Sequence, residues 1–151
     1  MKIANTVLII ALLVGLVDAI YLMYSYLTAN PVNCFLFDGC GAVSASPYSK
    51  PFGIPLSFLG TAFYFGMLVL VLLNLKLKRS LISNLILVGA VCSFVASLYF
   101  TYLQGFVIQA FCVYCLISAG ATTIALCTVL YLRGLANNTP QVSPTSGNNL
   151  V

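Results

Sequence analysis

Apolar residues in this chain come in long blocks, and the polar residues collect in the gaps between them. A helix climbs about 1.5 Å per residue and bilayer hydrocarbon is about 30 Å thick, so about 20 mostly apolar residues make one crossing. Four blocks reach that length, at about 3–27, 52–75, 81–103 and 111–132. Asp18 interrupts the first, and Gly53 and Pro55 open the second, where a proline is tolerated because first-turn amides have no intrahelical acceptor. Lys2 ahead of an apolar run resembles a signal peptide, but the run is too long and no A-x-A site follows, so it is a retained helix. Residues 134–151 are rich in Asn, Pro, Ser, Thr and Gly and read as a disordered tail. The pattern predicts an all-α integral membrane protein: one four-transmembrane-helix domain over residues 1–133, with its longest loop between the first two crossings.

Composition strengthens the membrane reading. The chain is 62% hydrophobic and 5% charged, against roughly a quarter charged residues in a soluble domain. It has no histidine, and its only two acidic residues are Asp18 and Asp38. Histidine acid–base chemistry, histidine-ligated metals and a glutamate base are therefore excluded. A net charge of +4 over six scattered basic residues makes no stripe for nucleic acid. With four crossings, Lys2, the Lys76–Arg79 turn and Arg133 share one side and Lys50 stands on the other. The positive-inside rule then places both termini in the cytoplasm, and the loop from about residue 28 to 51 outside it.

Charge scarcity leaves thiols as the main reactive groups, and the six cysteines are unevenly placed. Cys34 and Cys40 lie in the first outer loop, and Cys112 and Cys115 form a Cys-Val-Tyr-Cys run where the chain re-enters the membrane. All four fall at the outer face, the side where disulfides persist. A thiol at a helix start faces unpaired amides and the positive end of the dipole, which favours the thiolate. Cys34 and Cys40, with glycines on either side of Cys40, can close a disulfide reachable from outside. One wet pair and one pair at the lipid edge suggest a relay. Static disulfide staples in a non-enzymatic scaffold or subunit are the alternative, and a four-thiolate zinc site is disfavoured by the unequal spacings. Cys92 and Cys127 fall inside helices and read as small core residues. Asp18 reads as a neutral acid hydrogen-bonded to a tyrosine, with a proton relay or ligand contact as the sharper possibility.

Taken in order, Cys34-x5-Cys40-Gly-Ala-Val-Ser-Ala-Ser46, then Gly53-Ile-Pro-Leu56-Ser57, then Cys112-Val-Tyr-Cys115, the motifs resemble the vitamin K epoxide reductase family. The likeness covers about residues 15–132 and points to a bacterial or archaeal type without a fused thioredoxin domain. It implies a four-helix bundle around a quinone, ubiquinone or menaquinone, with the outer loop as a cap and no metal. It also implies a separate thioredoxin-fold partner outside the cytoplasm, and a location in the inner, cytoplasmic membrane. By the resemblance, Cys34 and Cys40 are the shuttle pair, Cys112 and Cys115 the active-site pair, and Ser46 helps position the quinone end. Leu56 and Ala119 fall where vertebrate enzymes place a polar Asn and a Tyr near the substrate head group, which disfavours vitamin K epoxide and leaves quinone reduction open. The unrelated quinone-coupled oxidase of bacterial disulfide formation carries its two kinds of cysteine pair in the reverse order.

Overall fold

The computed structural model describes residues 2–28, 40, 41, 43, 46, 49, 50 and 53–138. Four helices are long and apolar enough to cross a membrane. They are α1 (Lys2–Leu27), α2 (Leu56–Leu77), α3 (Ser80–Tyr102) and α4 (Val113–Asn138).

Local chemistry sets their ends. Gly53 takes a left-handed φ of 79° and Pro55 stands at φ −58°, so α2 begins at Leu56 rather than at residue 52. A residue before proline is pushed out of the helical region, which keeps residue 54 outside the helix. At the far end Lys78 turns left-handed at φ 46° and donates its N–H to the carbonyl of Asn74. This left-handed stop and the extended Arg79 bring α3 back beside α2. The third span does not end near residue 103: α3 runs on into a π-helical turn, Leu103–Ile108, closed by Gln109 at φ 55°. The fourth helix starts at Val113 rather than at residue 111. Residues 134–138, assigned above to the tail, continue α4; the first residue beyond them that opposes a helix is Pro140. Residues 139–151 lie outside the described residues.

The helices pack as a ring, α1 against α2 and α4, and α3 against α4 and α2. In lipid there is little hydrophobic drive to bury one apolar surface against another, so close packing of shapes holds such a ring together. Leu8, Leu12, Met67, Val71, Ile86, Ala90, Ala125 and Val129 fill one half of the interior. At mid-bundle, the ring of Tyr64 of α2 lies against Gly15 of α1, where any Cβ would collide with it. The Tyr64 hydroxyl shares a 2.6 Å hydrogen bond with Ser118 Oγ of α4. This tie from α2 to α4 marks the boundary of the packed half. Large side chains such as Phe65, Leu81, Val95, Phe106 and Tyr131 point outward, as the lipid face requires.

Candidate active site

Beyond Tyr64 the ring opens into a cavity of about 920 Å³, within the size range of small-molecule sites. It is formed by the C-terminal half of α1, the N-terminal half of α2, the C-terminal half of α3 and the start of α4, with Gly41, Val43, Ser46, Ser49 and Lys50 at its loop end. Its walls are mainly apolar, including Ala19, Leu22, Leu59, Phe63 and Phe100. Cys112 and Cys115 also line it.

At this end of the bundle the two cysteine motifs meet. Cys40 is 1% exposed and Cys112 is 2% exposed, and their sulfur atoms are 3.5 Å apart. Cys40 is disulfide-bonded, while Cys112 and Cys115 are free thiols. Cys34, expected to pair with Cys40, lies outside the described residues. A free sulfur in van der Waals contact with a sulfur of a disulfide is the arrangement that thiol–disulfide exchange requires.

Cys112 stands just ahead of α4, where the helix offers amides without intrahelical acceptors. The Cys115 side chain hydrogen-bonds the Cys112 sulfur, and the amides of Cys115 and Tyr114 reinforce it. Against the opposing effect of burial, these contacts bring the Cys112 thiol down from its ordinary 9.0 to about 6. The first-turn amides of α4 thus add to the larger effect of the Cys115 side chain in favouring the Cys112 thiolate.

Gln104 was not signalled by the cysteine spacing. It sits in the π-helical turn, 2% exposed, and its Oε1 accepts the Cys112 N–H at 2.9 Å. Its main-chain carbonyl accepts the N–H groups of Gln109 and of Ala110, the latter at 3.1 Å. The residue thereby grips both ends of the turn that carries the chain from α3 to Cys112. A neutral amide at the very end of an apolar block is the signal that could have found it, since polar groups at membrane depth need partners.

The other expected residues divide. Ser46 lines the cavity, with its hydroxyl donating to the Val43 carbonyl at 2.7 Å. Leu56 lines it as well. Ala119 does not; Cys115, Ser118 and Thr122 do. Those three share one face of α4 at helical spacing, and position 119 is turned about 100° away from 118. Asp18 is buried and lines the cavity, but no tyrosine among the described residues hydrogen-bonds its carboxyl. Instead it stands within electrostatic reach of Cys112, Cys115, Tyr64 and Tyr114. Cys92 and Cys127, expected in the core, are both exposed, and Cys92 borders the cavity. In a lipid-facing helix an apolar thiol outside the core carries no penalty, so type alone did not decide the side.

The sequence profile of the vitamin K epoxide reductase family matches residues 6–130, which takes in all four helices and the cysteines that meet at the cavity. The chain belongs to the vitamin K epoxide reductase family. No individual curated protein matches it closely enough to narrow that assignment. Members of this family are membrane-embedded thiol–disulfide oxidoreductases linked to a quinone. The cavity fits that chemistry on its own evidence: a mainly apolar chamber of ring-accommodating size, open among the four helices, with two free cysteines in its wall. Among the described residues, no group of three or more Cys or Asp is placed to hold a metal ion.

Proposed function

We propose that this protein takes two electrons from a thioredoxin-fold protein outside the cytoplasm, passes them through Cys34–Cys40 and Cys112–Cys115, and delivers them to a membrane quinone, ubiquinone or menaquinone. The result is net disulfide formation in exported proteins. The observation that carries this reading is the 3.5 Å contact between the sulfurs of Cys40 and Cys112.

The steps follow from thiolate exchange. A thiolate of the partner attacks Cys34 in the Cys34–Cys40 disulfide, forming a mixed disulfide and releasing the Cys40 thiolate. The partner's second thiolate then attacks its own sulfur in that mixed disulfide, leaving the partner oxidised and Cys34 reduced. Cys40 attacks Cys112 in the Cys112–Cys115 disulfide and frees Cys115. Cys34 next attacks Cys40, which re-forms the outer disulfide and leaves Cys112 and Cys115 as thiols. That last state corresponds to a bonded Cys40 beside a free Cys112. The bound quinone supplies the sink for two electrons and two protons as Cys112 and Cys115 close again. The low-pKa Cys112 is both the better leaving group and the better nucleophile at neutral pH.

Orientation follows from the basic residues. Lys76, Lys78, Arg79 and Arg133 lie at the packed end of the bundle, and the positive-inside rule assigns that end to the cytoplasm. The cavity and its cysteines then face outward, the side from which a partner reaches Cys34 in this scheme. A stapled scaffold would need no free, acidified thiol against a bonded one, so the redox reading is favoured.

The test is quinone reduction by the purified protein in lipid nanodiscs, driven by a reduced thioredoxin-fold protein, with Cys34, Cys40, Cys112 and Cys115 replaced singly by Ala. Loss of partner-driven turnover in every variant is the expected result. Full turnover in the Cys34 variant would overturn the order of steps, and no turnover in the unmodified protein would favour the scaffold.

A further inference from the structure

We infer that Gln104 is a quinone-binding residue of this cavity, its Oε1 anchoring Cys112 and its amide nitrogen donating to a quinone carbonyl oxygen. The inference rests on the redox reading above and names the group that orients the acceptor. The Cys112 N–H is a donor, so the end of the Gln104 amide that meets it at 2.9 Å is the oxygen. The Nε2 end has no acceptor among the described residues, although Gln104 is 2% exposed and lines the cavity. Nε2 is not among the sealed, unpartnered atoms of the interior; it opens onto the cavity, where a carbonyl-bearing ligand can accept from it.

Several other hydrogen-bonding side chains of the cavity are committed elsewhere. Ser93 donates to the Ala90 carbonyl at 3.0 Å, Thr101 to Ser97 at 2.8 Å and Thr122 to Ala119 at 2.9 Å. Tyr64 and Ser118 are bonded to each other. Leu56, which also lines the cavity, has no donor. Gln104 is thus an uncommitted donor adjoining the reactive thiol. Because one side chain holds both the Cys112 amide and the acceptor oxygen, it fixes the spacing between the dithiol and the ring. As electrons arrive, negative charge grows on that oxygen, and a hydrogen bond already aimed at it strengthens.

The experiment uses the full protein in its oxidised state, so that ligands bind without turnover, with menadione and 1,4-dimethoxy-2-methylnaphthalene as matched probes. The two have the same fused ring, and only the first carries strong carbonyl acceptors. Unmodified protein binds menadione tighter than the dimethoxy compound by about five-fold, the worth of one such hydrogen bond, and Gln104→Met removes most of that preference. Infrared spectra of bound 13C-carbonyl menadione give a second readout, whose shift in the unmodified protein does not depend on the variant folding. One carbonyl stretch is lowered in the unmodified protein relative to empty micelles, and Gln104→Met returns it. A preference and a stretch unchanged by Gln104→Met, or no lowered stretch in the unmodified protein, would overturn the inference. Menadione bound through Gln104 but never reduced by a reduced partner would instead overturn the redox reading and leave this one standing.

Discussion

The two halves of the bundle are built from the same four helices and do opposite things. In one, Leu8, Leu12, Met67, Val71, Ile86 and Ala90 close the interior. In the other, small or polar side chains such as Gly60, Ser93, Ser97, Ser118 and Thr122 leave a chamber of about 920 Å³ beside the free cysteines Cys112 and Cys115. Tyr64, seated on Gly15 and bonded to Ser118, stands between them. The difference teaches that in a bilayer the choice between stability and function is made by side-chain volume on the inward faces, because apolar character is the same throughout. The packed half holds the helices in register, and that register sets the 3.5 Å sulfur contact at the hollow end.

The sharpest way to separate the halves is to remove the last thiol of the hollow one. Cys115→Ala takes quinone reduction to background while leaving helix content and thermal stability within error, as measured by partner-driven quinone bleaching and circular dichroism. Next in size, two substitutions on one face of α3 should behave differently. Ala90 is 0% exposed in the packed half, and Ala90→Leu overpacks it at a cost of about 1–3 kcal/mol. Ser97, two turns further along, lines the cavity; Ser97→Leu leaves stability nearly unchanged and raises the KM for quinone. Unfolding in a denaturing detergent series and steady-state kinetics check the pair, and equal stability losses would erase the distinction between the halves. Tyr64→Phe removes the tie to Ser118, with an expected loss of about 0.5–1.5 kcal/mol in the same unfolding series.

A pH profile reads the electrostatics of the hollow end. The Cys112 thiol is held down at about 6, so its thiolate fraction, and with it the rate of exchange with a disulfide, rises with pH through about 6 and then levels off. An unperturbed thiol would instead keep rising through about 8.5. The sign for stability follows: the thiolate is favoured in the folded state, so its contribution is complete above the ordinary thiol range and is lost as pH falls through 6. Stopped-flow exchange with the outer pair between pH 5 and 9 gives the midpoint.

Much of this arrangement is legible in the sequence, and what is not has a physical reason. Four apolar blocks of spanning length announce the helices, and their alternating direction carries Cys40 and Cys112 to one end of the bundle. Which face of each helix looks inward is not legible, because lipid and core both accept apolar residues and no amphipathic stripe forms. That ambiguity explains Cys92 and Cys127, expected in the core and found exposed, and Ala119, expected in the site and turned away from it. Helix ends were read to within a few residues where a proline or a basic turn marks them, as at Pro55 and Lys78. The π-helical turn at Leu103–Ile108 carries no such punctuation and was not foreseen. Gln104 depends on that turn, so its bond to the Cys112 amide could not be read from spacing.

The central claim is that electrons cross between the two cysteine pairs at Cys40 and Cys112. It is tested most directly by replacing Cys34 and Cys115 together with Ala, which removes the resolving partner of each remaining thiol, and mapping the disulfides after mild oxidation. The account predicts a peptide pair linked through Cys40 and Cys112 in most of the protein. A population in which both stay reduced, or in which Cys112 links to another cysteine instead, would contradict it.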